Sequence, residues 1–330
     1  MKNKLNISKR ILAAVLLVLA VFLSSCKKSE TDFVGGYYYD QLDNDQKLFY
    51  EALFRLTPSD TKTVVTLSEP IPLSASESLL TEEDKKQAAD EVKRIAQGAT
   101  DAFVMDHPEY FWIDFSKSYT SANFDGKKTG SSYLWQVKTI DFSVGIRSEF
   151  VSGPSLFMAE LDEALEKIQI PSGTTYEKLR FIHDYICENV YNCSTVQDKV
   201  TSRYTVYGSL VEGGAVCQGY AHAFKLLCDK AGIENILVSG SVGEESHMWN
   251  LVKADNGRWY AVDVTWDDGE KPGYSYFLVG ANTPSPDRDN APFCLDHISS
   301  GDVSGSGVKE FVLPTLASDS YPVSDEDFSK

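Results

Sequence analysis

The 330-residue sequence predicts an α+β fold, and three observations carry that expectation. Segments with apolar residues three and four apart, which read as helices, precede segments with alternating apolar residues, which read as strands. The later strands are joined by turn signals rather than helices, the pattern of an antiparallel sheet with helices segregated to one side. A hydrophobic fraction of 42% and an aromatic fraction of 12% supply a large core. The length fits one large domain or two.

Taken in order, Lys2, Lys4, Lys9 and Arg10 precede an apolar run from Ile11 to Leu23, and Ser24, Ser25 and Cys26 follow. The run is too short to cross a bilayer comfortably. The whole resembles a bacterial lipoprotein signal peptide and lipobox over residues 1–26, which implies cleavage before Cys26 and a lipid on its thiol. The mature chain is then expected outside the cytoplasm, anchored to a bacterial membrane through Cys26, with residues 27–36 as a flexible tether. Residues 37–153 read as an N-terminal α+β accessory region. Leu42, Phe49, Leu53 and Leu56 mark a helix stopped by Thr57-Pro58. Thr81 opens a second helix with an acidic first turn, its buried stripe being Ala88, Val92, Ile95, Ala99 and Phe103, and its end lies near His107-Pro108. Asp125-Gly126 and Gly130 interrupt strands, with Tyr133, Trp135 and Val137 alternating against Gln136 and Lys138.

Residues 154–322 read as the catalytic domain and residues 323–330 as a polar tail. Helices are expected over 155–168 and 175–190, the second with Leu179, Ile182, Ile186 and Val190 on one face. A third follows Gly213-Gly214, with Ala221, Phe224, Leu227 and Cys228 at helical spacing and Gly232 as its stop. Strands are expected over 236–239, 247–253, 259–266, 276–279 and 311–313, and 301–307 reads as a surface loop. This arrangement predicts the third helix packed on the sheet face that carries His247.

Charge narrows the function classes. The chain has 31 basic and 48 acidic residues, a net charge of −17, and four of the basic residues lie in the signal segment. Such a surface repels nucleic acid and is not suited to anionic lipid.

Chemistry concentrates on Cys217, His247 and Asp263, a thiol, an imidazole and a carboxylate in chain order. A thiol attacks as thiolate, and needs a base beside it that a third group holds in one tautomer. Cys217 falls in the first turn of its helix, where unpaired N–H groups and the helix dipole favour negative charge, so its pKa is expected to fall. The same N–H groups suit a developing oxyanion. His247 and Asp263 flank the hairpin signal Asp255-Asn256-Gly257. A two-residue loop would put them on opposite faces. A three-residue loop, with Ala254 opposite Arg258 and Gly257 left-handed, sets Trp249 against Asp263 with His247 on the same-face diagonal. The odd-length loop is therefore expected.

The stretch from about Tyr176 to Asp268 resembles the transglutaminase-like superfamily, with its papain-like Cys-His-Asp core. The matching blocks are Lys178 to Tyr185, Gly208 to Gly213, Cys217-Gln218-Gly219-Tyr220-Ala221, His247 to Val252 and Trp259 to Asp268. The resemblance implies Cys217 as nucleophile, His247 as general base and acid, and Asp263 as the group orienting His247. It implies a protein or peptide substrate and leaves the acyl acceptor open between an amine and water. An acyltransferase is the first expectation, a cysteine peptidase or amidase the second, and a peptide-binding surface lipoprotein without turnover a third. No EF-hand loop, Cys-x-x-Cys or paired histidine has metal-ligand spacing, so no metal and no cofactor is expected. Oligomeric state is left open.

The remaining groups read as structural. Cys228 lies about 16 Å along the helix from Cys217, too far to bridge with it. Cys187 and Cys193 flank a helix end and are near enough in sequence to pair. His107, His183, His222 and His297 read as structural or surface residues, and Asp267 and Asp268 as solvated. Trp249 and Trp266 read as core packing that can also keep the site dry.

Overall fold

The computed structural model describes residue 33 and residues 35–74, 77–196 and 200–322, and its helix starts follow local capping chemistry. Helix α1 (Asn44–Phe54) is opened by a reciprocal box in which the Asp43 carboxylate accepts from the Gln46 N–H and the Gln46 side chain accepts from the Asp43 N–H. Helix α2 (Glu82–Asp106), preceded by strand β1 (Lys62–Pro72), is opened in the same way by Thr81 and Asp84. Both helices fall where their apolar spacing puts them. Strand β1 carries no strong alternation and was not apparent in the sequence.

Strands β2 (Tyr119–Thr129) and β3 (Ser132–Ser143) form one long hairpin, and β3 is the centre of an antiparallel sheet ordered β1-β3-β2. Gly130, at φ +65°, makes the turn. Gly126 does not interrupt its strand: it pairs with Trp135, and the indole covers the space a Cβ would need.

The second half comprises α3 (Pro154–Lys167), α4 (Thr175–Asn189), β4 (Tyr191–Asn192), α5 (Val206–Leu210), β5 (Gly214–Ala215), α6 (Cys217–Lys230), β6 (Asn235–Val242), β7 (Glu245–Lys253), β8 (Trp259–Val262), α7 (Val264–Asp267), β9 (Pro284–Ser285), β10 (Ala291–Pro292), α8 (Phe293–Asp296) and β11 (His297–Ser299). Its main sheet is antiparallel in the order β11-β6-β7-β8, so the fold is α+β as the sequence indicates. Helix α6 stops in a Schellman arrangement: Gly232 sits at φ +70° and the Ile233 N–H reaches back to the Cys228 carbonyl.

Three expectations are corrected here. The strand expected over 259–266 ends at Val262, because the Asp263 carboxylate accepts from the N–H groups of Thr265 and Trp266 and turns the chain into α7. Residues 276–279 and 311–313 form no strand; the first contributes an isolated bridge from Val279 to Ala261, while the unforeseen β11 takes the outer edge of β6. The third concerns the packing of α6. The Asn250 amide donates to the Ala221 carbonyl at 3.0 Å, and Val252, Tyr260 and Val262 share one apolar cluster with Tyr220, Phe224 and Leu227. Helix α6 thus covers the face of Asn250 and Val252, opposite the one bearing His247 and Trp249.

Candidate active site

Cys217 is the first residue of α6, and the chain is brought there by backbone constraints. Gly213, at φ +72°, turns the chain into β5, which pairs in parallel with β4. The Val216 N–H then donates to the Arg203 carbonyl at 3.1 Å. Gly219 permits this approach, since a Cβ there would lie 2.6 Å from the Arg203 oxygen and 2.7 Å from the Ala215 Cβ. No side chain caps α6, so its first N–H groups, which have no intrahelical acceptor, are not taken up by a cap. Cys217 is partly exposed and carries a free thiol, whereas Cys228 on the same helix is sealed in the core. Cys187 and Cys193 are free as well, so the pairing considered from sequence does not form.

The hairpin supplies the other two groups. Its loop is Asp255-Asn256-Gly257: the Gly257 N–H donates to the Ala254 carbonyl, the Ala254 N–H to the Arg258 carbonyl, and Gly257 lies at φ +75°. The register pairs Asn250 with Val262, which carries Trp249 to the position facing Asp263. The odd-length loop is the one expected, and it puts His247 on the diagonal. His247 Nε2 donates to Asp263 Oδ2 at 2.5 Å, which leaves Nδ1 as the ring nitrogen for Cys217.

Three effects act on the His247 ring. Burial opposes its charge, but the Asp263 carboxylate and the hydrogen bonds and charges of Asp263 and Cys217 outweigh it, and the pKa is pushed up to about 10. His247 is therefore an imidazolium at neutral pH. Burial likewise raises Asp263, yet the charge and hydrogen bonds of His247 and then His297 win, and its carboxyl is lowered to about 2. The site is roofed by aromatics: Trp249 stacks against His247 with centroids 6.0 Å apart, and Trp266 meets it edge-on at 6.2 Å. Such walls exclude water around a charge pair and strengthen it.

A carboxylate, two imidazoles and a thiol can form and break an acyl bond to sulfur. His247, Asp263 and His297 are the group of three potential ligands found among the described residues, their ligand atoms all within 4.8 Å of one another. Both Nε2 atoms point at one carboxylate oxygen, which a hydrogen bond from each ring satisfies.

Residues 163–264, the segment that holds all three site residues, match the model of the transglutaminase-like superfamily. The chain carries a transglutaminase-like domain. Over 162 residues it is 30% identical to human kyphoscoliosis peptidase, covering 44% of this chain and 24% of that protein, and the mouse protein is 29% identical over the same length. The chain thus spans about a quarter of the length of the curated relatives it matches. Among solved structures it is similar to one titled a TGase, at 13% identity and a TM-score of 0.28 over 44% of this chain and 45% of that one. It is also similar to a structure titled a putative cysteine protease from Cytophaga hutchinsonii, at 14% identity and 0.25 over 46% and 66%.

Around this transglutaminase-like core the structure redistributes several residues. His297, read from the sequence as structural or surface, is fully buried and donates from Nε2 to Asp263 Oδ2 at 3.1 Å. No local signal could have found it, since it lies 34 residues beyond Asp263 on a three-residue strand. Asp267 is not solvated: it is buried, accepts from His183 Nε2 at 3.2 Å and caps the Tyr276 N–H. His222 is the structural residue expected, buried with its pKa lowered to about 3 by desolvation and by the charges of Arg147 and Lys225. It lines a cavity of about 660 Å³ between the two halves, shared by Gln218 and Met248, the chain neighbours of Cys217 and His247, and by Phe111 and Arg147. The signal segment, Cys26 and the polar tail lie outside the described residues. Among the described residues, no helix is long and apolar enough to cross a membrane.

Proposed function

We propose that this protein is an extracytoplasmic, lipid-anchored cysteine acyltransferase of transglutaminase-like type, acting on protein or peptide amides through a thioester on Cys217. The observation that carries the reading is one imidazole ring bonded to Asp263 through Nε2 while it meets the Cys217 thiol at the start of a helix. In the first step Cys217 Sγ attacks the carbonyl carbon. The first-turn N–H groups of α6 receive the oxyanion. His247 gives its proton to the departing nitrogen, the C–N bond breaks, and an amine or ammonia leaves. In the second step His247 takes a proton from the acceptor, the acceptor attacks the thioester, and the sulfur departs as thiolate. Asp263 stays ionised and holds the ring in one tautomer throughout. No step calls for a metal or cofactor.

Trp249 and Trp266 shield the thioester from water and so favour a lysine-type amine. Hydrolysis is the second reading, and similarity to a protein named a peptidase supports it. The N-terminal region (37–153) is proposed to wall the substrate groove, since the cavity beside Gln218 is lined in part by its residues. Lipid on Cys26 would tether the enzyme to the membrane.

The test is incorporation of a fluorescent primary amine into a glutamine-bearing peptide by purified mature protein, with Cys217→Ala as control. Incorporation supports the transferase, and release of ammonia or cleaved peptide without incorporation supports the hydrolase. Peptide binding without either reaction would leave a binding protein. For the anchor, Cys26→Ala protein that still took up labelled lipid precursor would rule out lipidation at that residue.

A further inference from the structure

We propose that His297 is a positioning residue of this site: it holds Asp263 through one ring nitrogen, while its other nitrogen faces Asp296, which Arg288 holds in place. The proposal rests on the reading of Cys217, His247 and Asp263 as the reacting unit. Its basis is a donor count that closes. A carboxylate offers about four lone-pair sites. On Asp263, Oδ1 accepts from Thr265 N at 3.0 Å and Trp266 N at 3.3 Å, and Oδ2 accepts from His247 Nε2 at 2.5 Å and His297 Nε2 at 3.1 Å.

The far side of His297 is arranged as well. Its Nδ1 lies 3.1 Å from Asp296 Oδ2, though without the linearity of a hydrogen bond, and Asp296 Oδ1 accepts from Arg288 Nε at 2.9 Å. Phe293 stacks on the ring at 4.1 Å and 18°, while Trp249 and Trp266 close its edges at 5.2 and 5.6 Å. A histidine that merely filled this space would be replaced best by another flat ring. Here two carboxylates bracket the imidazole, and a single line of contacts runs Cys217, His247, Asp263, His297, Asp296, Arg288. The ionisable groups acting on His247 are Asp263 and Cys217, and Asp263 in turn feels His297.

The consequence follows from charge sharing. With His297 donating to it, Asp263 presents part of its charge to His247 and cannot swing away. Without that donor the whole carboxylate faces His247, which holds its proton more tightly and surrenders it less readily to a leaving amine. Turnover falls while the contact of Cys217 with His247 is retained.

His297→Phe and His297→Gln therefore separate positioning from packing. Phenylalanine keeps the stack on Phe293 and loses the donor, whereas glutamine keeps an N–H at similar reach and loses the ring. Positioning expects His297→Phe to lose roughly tenfold to a hundredfold in kcat, the size of one hydrogen bond to a charged group, with KM within about twofold. Alkylation of Cys217 by iodoacetamide at pH 7 should stay near wild type, and His297→Gln should recover most of kcat. A phenylalanine variant as active as the glutamine variant, or activity, alkylation and Tm falling together, overturns the proposal. Failure of the underlying reading looks different: wild-type Cys217 would alkylate no faster than a free cysteine, and His247→Ala would not slow it. Should the phenylalanine variant not fold, nitrogen-15 spectra of the unsubstituted protein decide. His297 must carry its proton on Nε2, and a ring protonated on Nδ1 alone refutes the assignment.

Discussion

Asp263→Asn tests the site with the fewest changes in volume. Asp263 is buried and accepts four hydrogen bonds, two from backbone N–H groups and two from imidazoles. An asparagine in its place has one oxygen and one NH2 group. If the oxygen stays with Thr265 and Trp266, the NH2 meets two ring N–H groups; if it turns to the rings, the NH2 meets two backbone donors. Either way two bonds to a charge are lost, at about 1.5–3 kcal/mol each, so a destabilisation of about 3–6 kcal/mol is expected by urea melt. The rings can relieve the first clash only by carrying no proton on Nε2, which leaves the His247 proton on Nδ1, toward Cys217, and removes the base. A wrong tautomer of this kind costs about 10⁴ in kcat in a Ser-His-Asp triad, and a comparable loss of amine incorporation is expected here. The His247 titration, followed by NMR, should fall from about 10 toward the ordinary histidine value of 6.5. A variant whose His247 still titrated near 10, or that kept more than a tenth of its turnover, would refute the arrangement of these three groups.

Other expectations follow from neighbouring geometry. Gly240→Ala would place a Cβ 2.2 Å from the Ile298 carbonyl and 2.7 Å from the Trp249 ring, prising β11 from β6; a loss of about 3 kcal/mol in a denaturant melt is expected, and unchanged stability would contradict the strand order. Phe224→Ala empties a fully buried position in the cluster beneath the site and should cost about 3–5 kcal/mol by the same measurement. Cys217→Ala changes a partly exposed group and should leave stability within about 1 kcal/mol while abolishing thioester formation, as read by mass spectrometry. Stability should also depend on pH in two windows. Asp263, lowered from 3.8 to about 2, steadies the fold above the ordinary carboxyl pKa, and that contribution goes as pH falls through 2. His247, raised from 6.5 to about 10, contributes fully below 6.5 and loses that contribution as pH climbs through 10. A Tm profile flat from pH 6.5 to 10 in wild type and in His247→Ala alike would contradict the second window.

Strong local signals were legible in the sequence. The helix start with its acidic turn at Thr81 and the helix start at Cys217 are written in adjacent residues. So is the hairpin loop, because the parity of a strand and a left-handed glycine together allow only one same-face pairing of His247 with Asp263. Weak or non-local signals were missed. Strand β1 alternates poorly in sequence because the apolar Val64 lies on its exposed face beside buried Val65, and Pro70 and Pro72 follow; β11 is three residues long.

The sequence by itself determined which thiol, imidazole and carboxylate lie beside a helix start and a hairpin, since each choice rests on neighbours a few residues away. Tertiary structure alone decided which face of the sheet α6 covers and that His297 shares the Asp263 oxygen. Those outcomes depend on hydrogen bonds between segments up to 34 residues apart, satisfied only once burial has removed water as the alternative partner.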